Sequence, residues 1–195
     1  MANARVGLDL PVRHPETRLT ATERQAPRPT LIVVTGSPTA GKSSVARLLS
    51  QRLGLPLVSR DEIKAALVRT TAPGAEQLRR GGPVAQQSFT YFAEAIDFHI
   101  DRSLSLIAEQ AFERGKGELF LRSFLNRCDI VQIVCNISRA TAIARFEQRM
   151  IESDRSTPTD AEVLEMLREG RLDPQAFNTL DLEVSTPTDL PALPR

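Results

Sequence analysis

One octapeptide limits what this chain can fold into more than the rest of it does. Gly36-Ser37-Pro38-Thr39-Ala40-Gly41-Lys42-Ser43 matches G-x-x-x-x-G-K-[ST] at every fixed position. Before it lies the apolar run Leu31-Ile32-Val33-Val34, and after it Val45, Leu48, Leu49 and Leu53 recur at helical spacing up to Gly54. The run suits a strand buried on both faces, and the spacing suits an amphipathic helix stopped by a glycine. Strand, glycine-bounded loop and helix together let consecutive backbone N–H groups converge on polyphosphate oxygens. Gly36 and Gly41 allow the turn and close approach, and Ser37, Pro38, Thr39 and Ala40 form the crown. Lys42 offers a point charge to the β- and γ-phosphates and the Ser43 hydroxyl a ligand for Mg²⁺. The helix entered through Ser43 and Ser44 aims its N-terminal dipole at the anion. All eight residues and Ser44 are therefore candidate polyphosphate-binding residues.

Beyond this motif the pattern alternates. Leu55 to Val58 reads as a second strand and Asp61 to Arg69 as a helix. Pro73-Gly74 and Gly81-Gly82-Pro83 bracket an irregular excursion. Phe89, Phe92, Ile96 and Ile100 stripe one long helix, and a third strand follows at Leu104 to Ala108. A helix near Glu118 to Arg127 precedes a fourth strand, Ile130 to Cys135; further helices are expected from Arg139 to Ile151 and around Val163, Leu164 and Leu167. Leu182 to Val184 is a candidate fifth strand. Strands alternating with helices of this length imply right-handed crossovers and a parallel sheet covered on both faces, an α/β fold.

At 195 residues a single domain is expected, placed at 30–184. Residues 1–29, with Pro11, Pro15, Pro27 and Pro29 and no sustained periodicity, read as a disordered leader; 185–195 read as a proline-rich tail. With 25 Lys and Arg against 24 Asp and Glu, the net charge of +1 argues against a bulk electrostatic grip on nucleic acid or membrane. A single tyrosine and no tryptophan offer little for stacking bases. No apolar run reaches the roughly 18–20 residues of a membrane span, and no signal-peptide core is present, so a cytoplasmic protein is expected. Cys128 and Cys135 fit neither a redox pair nor a zinc spacing and read as reduced, buried thiols.

Among phosphate-loop proteins, guanine readers are excluded because Asn126-Arg127-Cys128-Asp129 precedes its strand and carries Arg where Lys is required. From Leu31 to about Leu182 the chain resembles small-molecule P-loop kinases of the chloramphenicol phosphotransferase, zeta toxin and shikimate kinase kind. It is especially similar to bacterial AAA-type ATP-binding kinases of that group. The resemblance rests on Thr35 to Leu53, on Leu55 to Lys64, on Leu106-Ile107-Ala108-Glu109, on Ala144 to Arg149 and on Arg155 to Asp160. It implies a three-layer α/β/α fold with a five-stranded parallel sheet of order 2-3-1-4-5, and ATP with Mg²⁺ at the strand C-terminal edge.

That resemblance also assigns candidate roles. Asp61, just past the second strand, would contact the acceptor hydroxyl and take its proton; the alternative is that it only caps its helix, but Ser59 is a competing cap that frees it. Glu109, ending the third strand, would hold the Mg²⁺ shell or act as the base itself. Arg145, Arg149 and Arg155 would be lid arginines closing over the phosphates, and Arg149 with Arg155 would neutralise the charge that develops on the transferring group, beside Lys42 on the β- and γ-phosphates. Arg155-Ser156-Thr157-Pro158 departs from the R-H-P-G pattern common in the group. Arg60, Lys64 and Arg114 are candidate anchors for an anionic acceptor, and His99 reads as a packed rather than catalytic histidine.

The function expected is ATP-dependent transfer of the γ-phosphoryl group to a hydroxyl of a small molecule, with the acceptor pocket between the helix after Asp61 and the 70–90 excursion. An ATP-binding regulatory or toxin-like module and a polynucleotide 5′-hydroxyl kinase are the alternatives. The state expected is a monomer or homodimer.

Overall fold

The computed structural model describes residues 28–152 and 158–177. Four parallel strands, β1 (Thr30–Gly36), β2 (Leu57–Ser59), β3 (Leu106–Glu109) and β4 (Asp129–Cys135), lie in the order β2-β3-β1-β4. The order of these four agrees with the sequence expectation. The fifth strand expected at Leu182 to Val184, most of the leader, the tail and Arg155 lie outside the described residues. Arg28 and Pro29, assigned to the leader, belong to the domain. Arg28 donates to the carbonyls of Leu125 and Cys128 at 2.6 and 2.9 Å, and the Pro29 carbonyl accepts the Asp129 N–H at 2.9 Å.

Alternation along β1 divides the core. Leu31 and Val33 face one side of the sheet, where Val58, Leu106, Ala108 and Ile130 meet Phe92, Ile96 and Ile100 of α4 (Pro83–Ile100). Phe112, together with Leu121 of α5 (Lys116–Arg122) and Phe124 just after that helix, closes this layer. Val34 and Ile107 face the other side against Ala46, Val45 and Leu49 of α1 (Lys42–Leu53). Apolar burial on both faces is what a parallel sheet requires, and it explains the uninterrupted apolar run of β1.

The striped helix is longer than its aromatic signal. It starts at Pro83, whose fixed φ and missing N–H suit a first helical turn. α2 (Arg60–Thr71) begins one residue before the expected Asp61, and α3 (Ala75–Leu78) forms inside the irregular excursion. β3 ends on Glu109 rather than Ala108, and α5 stops at Arg122, short of Arg127. α6 (Arg139–Glu152) and α7 (Pro158–Arg168) pack on one another around Ala142, Phe146, Leu164, Leu167 and Phe177, a small core separate from the two sheet faces. Arg139 clamps Asp173 through both carboxylate oxygens, tying the start of α6 to the turn after α7.

The turn from β1 into the loop is sterically tight. A Cβ on Gly36 would lie 1.9 Å from the Cys135 carbonyl oxygen of neighbouring β4, and its φ is +136°. Gly41 also has positive φ, +87°, but no atom lies within 4 Å of its would-be Cβ. Gly36→Ala should therefore lose about 2 kcal/mol or more of folding stability, since backbone of two strands must separate. Gly41→Ala should lose only about 1 kcal/mol, the conformational part alone. Denaturant unfolding of the two variants measures the contrast, and equal losses would contradict the steric account.

Candidate functional site

The loop between β1 and α1 is built around its backbone. Gly41 occupies the N-cap position of α1 in the left-handed region, and no side chain caps the helix, so the first N–H groups remain open to a ligand. Thr39, a β-branched residue, also sits at positive φ, 62°. Its hydroxyl lies 2.6 Å from the Pro38 carbonyl and 3.1 Å from that of Ala142, and its own carbonyl accepts from Arg145 at 3.4 Å. The crown of the loop is thus braced by α6. Ser37 is 1% exposed and its hydroxyl has no hydrogen-bond partner. An orphaned buried hydroxyl inside this loop fits a bound phosphate oxygen.

Lys42 folds back to donate to the Ser37 carbonyl at 3.0 Å and is 8% exposed. Burial pushes its ammonium below the ordinary lysine range, and the nearby Glu109 and Asp61 carboxylates, in that order, pull it back up. Glu109, 1% exposed at the end of β3, accepts from the Ser59 hydroxyl at 2.5 Å and from the Ser43 hydroxyl at 3.4 Å. Burial raises its carboxyl above the usual glutamate range, against the pull of the Ser59 bond, and Asp61 adds repulsion. Lys42, Ser43, Asp61 and Glu109 therefore lie near one another at one strand edge. Arg149 is close enough to repel Lys42 and stands over the Phe146 ring at 4.7 Å.

Ser59 stands at the cap position expected for it, with a partner that its local sequence does not announce. It occupies the N-cap position of α2 but makes no side-chain cap; its hydroxyl is spent on Glu109. A serine at the C-terminal end of a strand in an open parallel sheet was the available signal. Arg114 lines neither of the two grooves beside the loop. His99 bonds the Ala95 carbonyl through Nδ1 at 2.7 Å and packs edge-on to Phe98, a structural role. Cys128 is buried and its thiol is pushed up to about 11, whereas Cys135 is only half-buried.

Two grooves open beside the loop. One, of ≈ 510 Å³, is bounded by Asp61, Lys64, Arg149 and Asp160. The other, of ≈ 820 Å³, runs from Pro38 past Arg60, Lys64 and Phe89 to Phe177. Lys64 and Thr159 line both, so the grooves adjoin. Ser43 and Glu109 present hard oxygen atoms beside the loop, a donor set that fits Mg²⁺ completed by phosphate and water. Among the described residues, no group of three or more His, Cys, Asp or Glu forms a self-sufficient metal site, and no helix is long and apolar enough to cross a membrane.

An uncapped helix behind a glycine loop, at the centre of a parallel sheet of this order, defines a P-loop domain of the kinase-like fold. The family model for an AAA domain matches residues 31–172, and the chain belongs to that family. A candidate kinase from Chloroflexus aurantiacus has a similar structure, with TM-score 0.68 and 24% identity over 80% of this chain and 84% of that one. A chain in the Pnkp1/Rnl/Hen1 RNA repair complex superposes with TM-score 0.56 and 15% identity, over 88% of this chain and 55% of that one. No curated protein matches the chain in sequence.

The raised Glu109 carboxyl has a consequence for stability. The folded state holds this proton more tightly than the unfolded chain, so the group's contribution falls as pH climbs from the ordinary glutamate value, 4.5, through the raised folded one. Above that it stays low. Glu109→Gln should therefore be more stable than the parent at neutral pH without nucleotide, with the gap closing as pH falls toward 4.5. Thermal melts across that range measure it, and a variant less stable than the parent at pH 7 would overturn this account of the buried charge.

Proposed function

We propose that this chain is an ATP-dependent kinase that moves the γ-phosphoryl group to a hydroxyl of a small molecule, assisted by Mg²⁺. The observation that carries the reading is the meeting of the loop pair Lys42 and Ser43 with a buried Glu109 and a groove-lining Asp61. Family membership and the kinase-like fold support it. A polyphosphate would be held by the loop amides, the open start of α1 and Lys42, which would leave the Ser37 carbonyl for the phosphate oxygens.

The two carboxylates divide the work in this reading. Glu109 is sealed from solvent and oriented by two serines, which suits a fixed partner for the metal shell, with Ser43 as the other ligand. Mg²⁺, when bound, supplies charge neutralisation on the β- and γ-phosphates. Asp61 is exposed and lines the groove, where it can accept a proton from a docked hydroxyl. The acceptor oxygen bonds to the γ-phosphorus as the bond from that phosphorus to the bridging oxygen of ADP breaks, and the hydroxyl proton passes to Asp61. Arg145, which donates to the Thr39 carbonyl of the loop, and Arg149, near Lys42, would neutralise charge on the transferring group, with Arg155 joining them. A cytoplasmic location and a monomeric or dimeric state remain part of the proposal.

Asp61→Asn should lower transfer of label from γ-labelled ATP to an organic acceptor by about 10²-fold or more. Its affinity for ATP should stay within a few-fold of the parent. Unchanged turnover would remove Asp61 from the role. Label released only as inorganic phosphate by the intact chain would replace the kinase with a nucleotide-hydrolysing switch.

A further inference from the structure

The larger groove carries more positive charge than its own carboxylates neutralise. Its cations are Arg60, Lys64, Arg80 and Lys116, and its carboxylates are Glu113 and Glu162. Arg80 and Lys116 both engage Glu113, at 2.7 and 2.9 Å. Arg60 and Lys64, one turn apart on α2 and so on the same face, form no ion pair with any described carboxylate. Arg60 is partly buried: one guanidinium N–H donates to the Ala85 carbonyl at 2.9 Å, while its Nε is buried without a hydrogen-bond partner. Burial lowers its affinity for the proton, and the nearby Asp61 and Glu113 carboxylates, in that order, oppose the shift. The Phe89 ring lies beneath the guanidinium at 5.7 Å.

Resting on the kinase reading above, we propose that the acceptor is itself an anion: a small hydroxyl-bearing molecule with a carboxylate or phosphate monoester held by Arg60 and Lys64. The placement is consistent with transfer. Arg60, Lys64 and Pro38 of the phosphate loop line the larger groove, and Lys64 also lines the smaller groove beside Asp61. An acceptor whose anionic group is held at Arg60 and Lys64 thus sits beside the phosphate loop, with Lys64 linking it to the groove that contains Asp61. A guanidinium that lines the groove suits the paired oxygens of such a group, and Lys64 adds a second point charge.

The test uses the full chain, γ-labelled ATP with Mg²⁺ and a low-molecular-weight metabolite extract split on an anion exchanger into retained and unretained fractions. Label should pass to an organic acceptor from the retained fraction only. Prior treatment of that fraction with alkaline phosphatase, then removed, abolishes labelling if the anchor is a phosphate monoester and spares it if the anchor is a carboxylate. Arg60→Ala should raise KM for the purified acceptor about tenfold or more, with KM for ATP nearly unchanged. Arg60→Lys should recover part of the loss, and Lys64→Ala should weaken the acceptor in the same direction; melting curves confirm that each variant is folded. An acceptor from the unretained fraction, or a rise in KM for ATP alone, overturns the anionic acceptor while leaving the kinase standing. Labelling of a 5′-hydroxyl oligonucleotide in preference to any metabolite overturns the small-molecule acceptor. No labelled organic product from either fraction overturns the kinase reading and this proposal together.

Discussion

Glu109 is a carboxylate sealed from water at the end of a central strand, and much of the site is arranged around the cost of keeping it there. Burial alone raises its carboxyl, and Asp61 adds repulsion. Three neighbours offset this: the Ser59 hydroxyl at 2.5 Å, the Ser43 hydroxyl at 3.4 Å, and the Lys42 ammonium. Lys42 is desolvated in turn and leans on Glu109 and Asp61. Neither charge is well solvated, and each is the other's partial remedy. A site held in this state gains when a ligand brings both a cation for Glu109 and an anion for Lys42, as a magnesium nucleotide does.

The sheet makes that arrangement possible. Parallel strands place all their C-terminal ends on one edge, so β1, β2 and β3 deliver the loop, Ser59 and Glu109 to the same place from distant parts of the chain. The register pairs Ser59 with Glu109 and Val34 with Glu109 directly. Gly36 lets the loop leave β1 against the Cys135 carbonyl of β4, where any side chain would collide. The α6–α7 pair, with its own small core around Phe146 and Leu167, forms the far wall of the groove and braces the loop crown through Ala142 and Arg145.

Much of this was legible in the residues. The loop motif, the apolar runs of the strands and the Phe92-Ile96-Ile100 stripe each follow from periodicity, and the four-strand order followed from the resemblance. Boundaries shifted where tertiary contacts outweigh local pattern. α4 gained its first turns from Pro83 and from Val84 and Ala85, whose burial comes from packing that the aromatic stripe does not announce. Arg28 and Pro29 look like leader by composition, yet they bind carbonyls and an amide across the sheet's start. Ser59 reads locally as a cap because a serine ahead of a helix usually is one; the competing partner, Glu109, is 50 residues away in the chain. Arg60 could be named as an anion anchor from its charge, but its buried, unpartnered Nε depends on α4 lying across it.

On the proposed reading, the loop, Lys42, Ser43 and Glu109 form one site for a magnesium nucleotide. Calorimetric titration of the intact chain with ATP, with and without Mg²⁺, tests it most directly. One nucleotide should bind per chain, more tightly when Mg²⁺ is present, and the Lys42→Ala chain should lose most of that affinity while remaining folded. A folded parent that binds no ATP, or an affinity indifferent both to Mg²⁺ and to the loss of Lys42, would contradict the account.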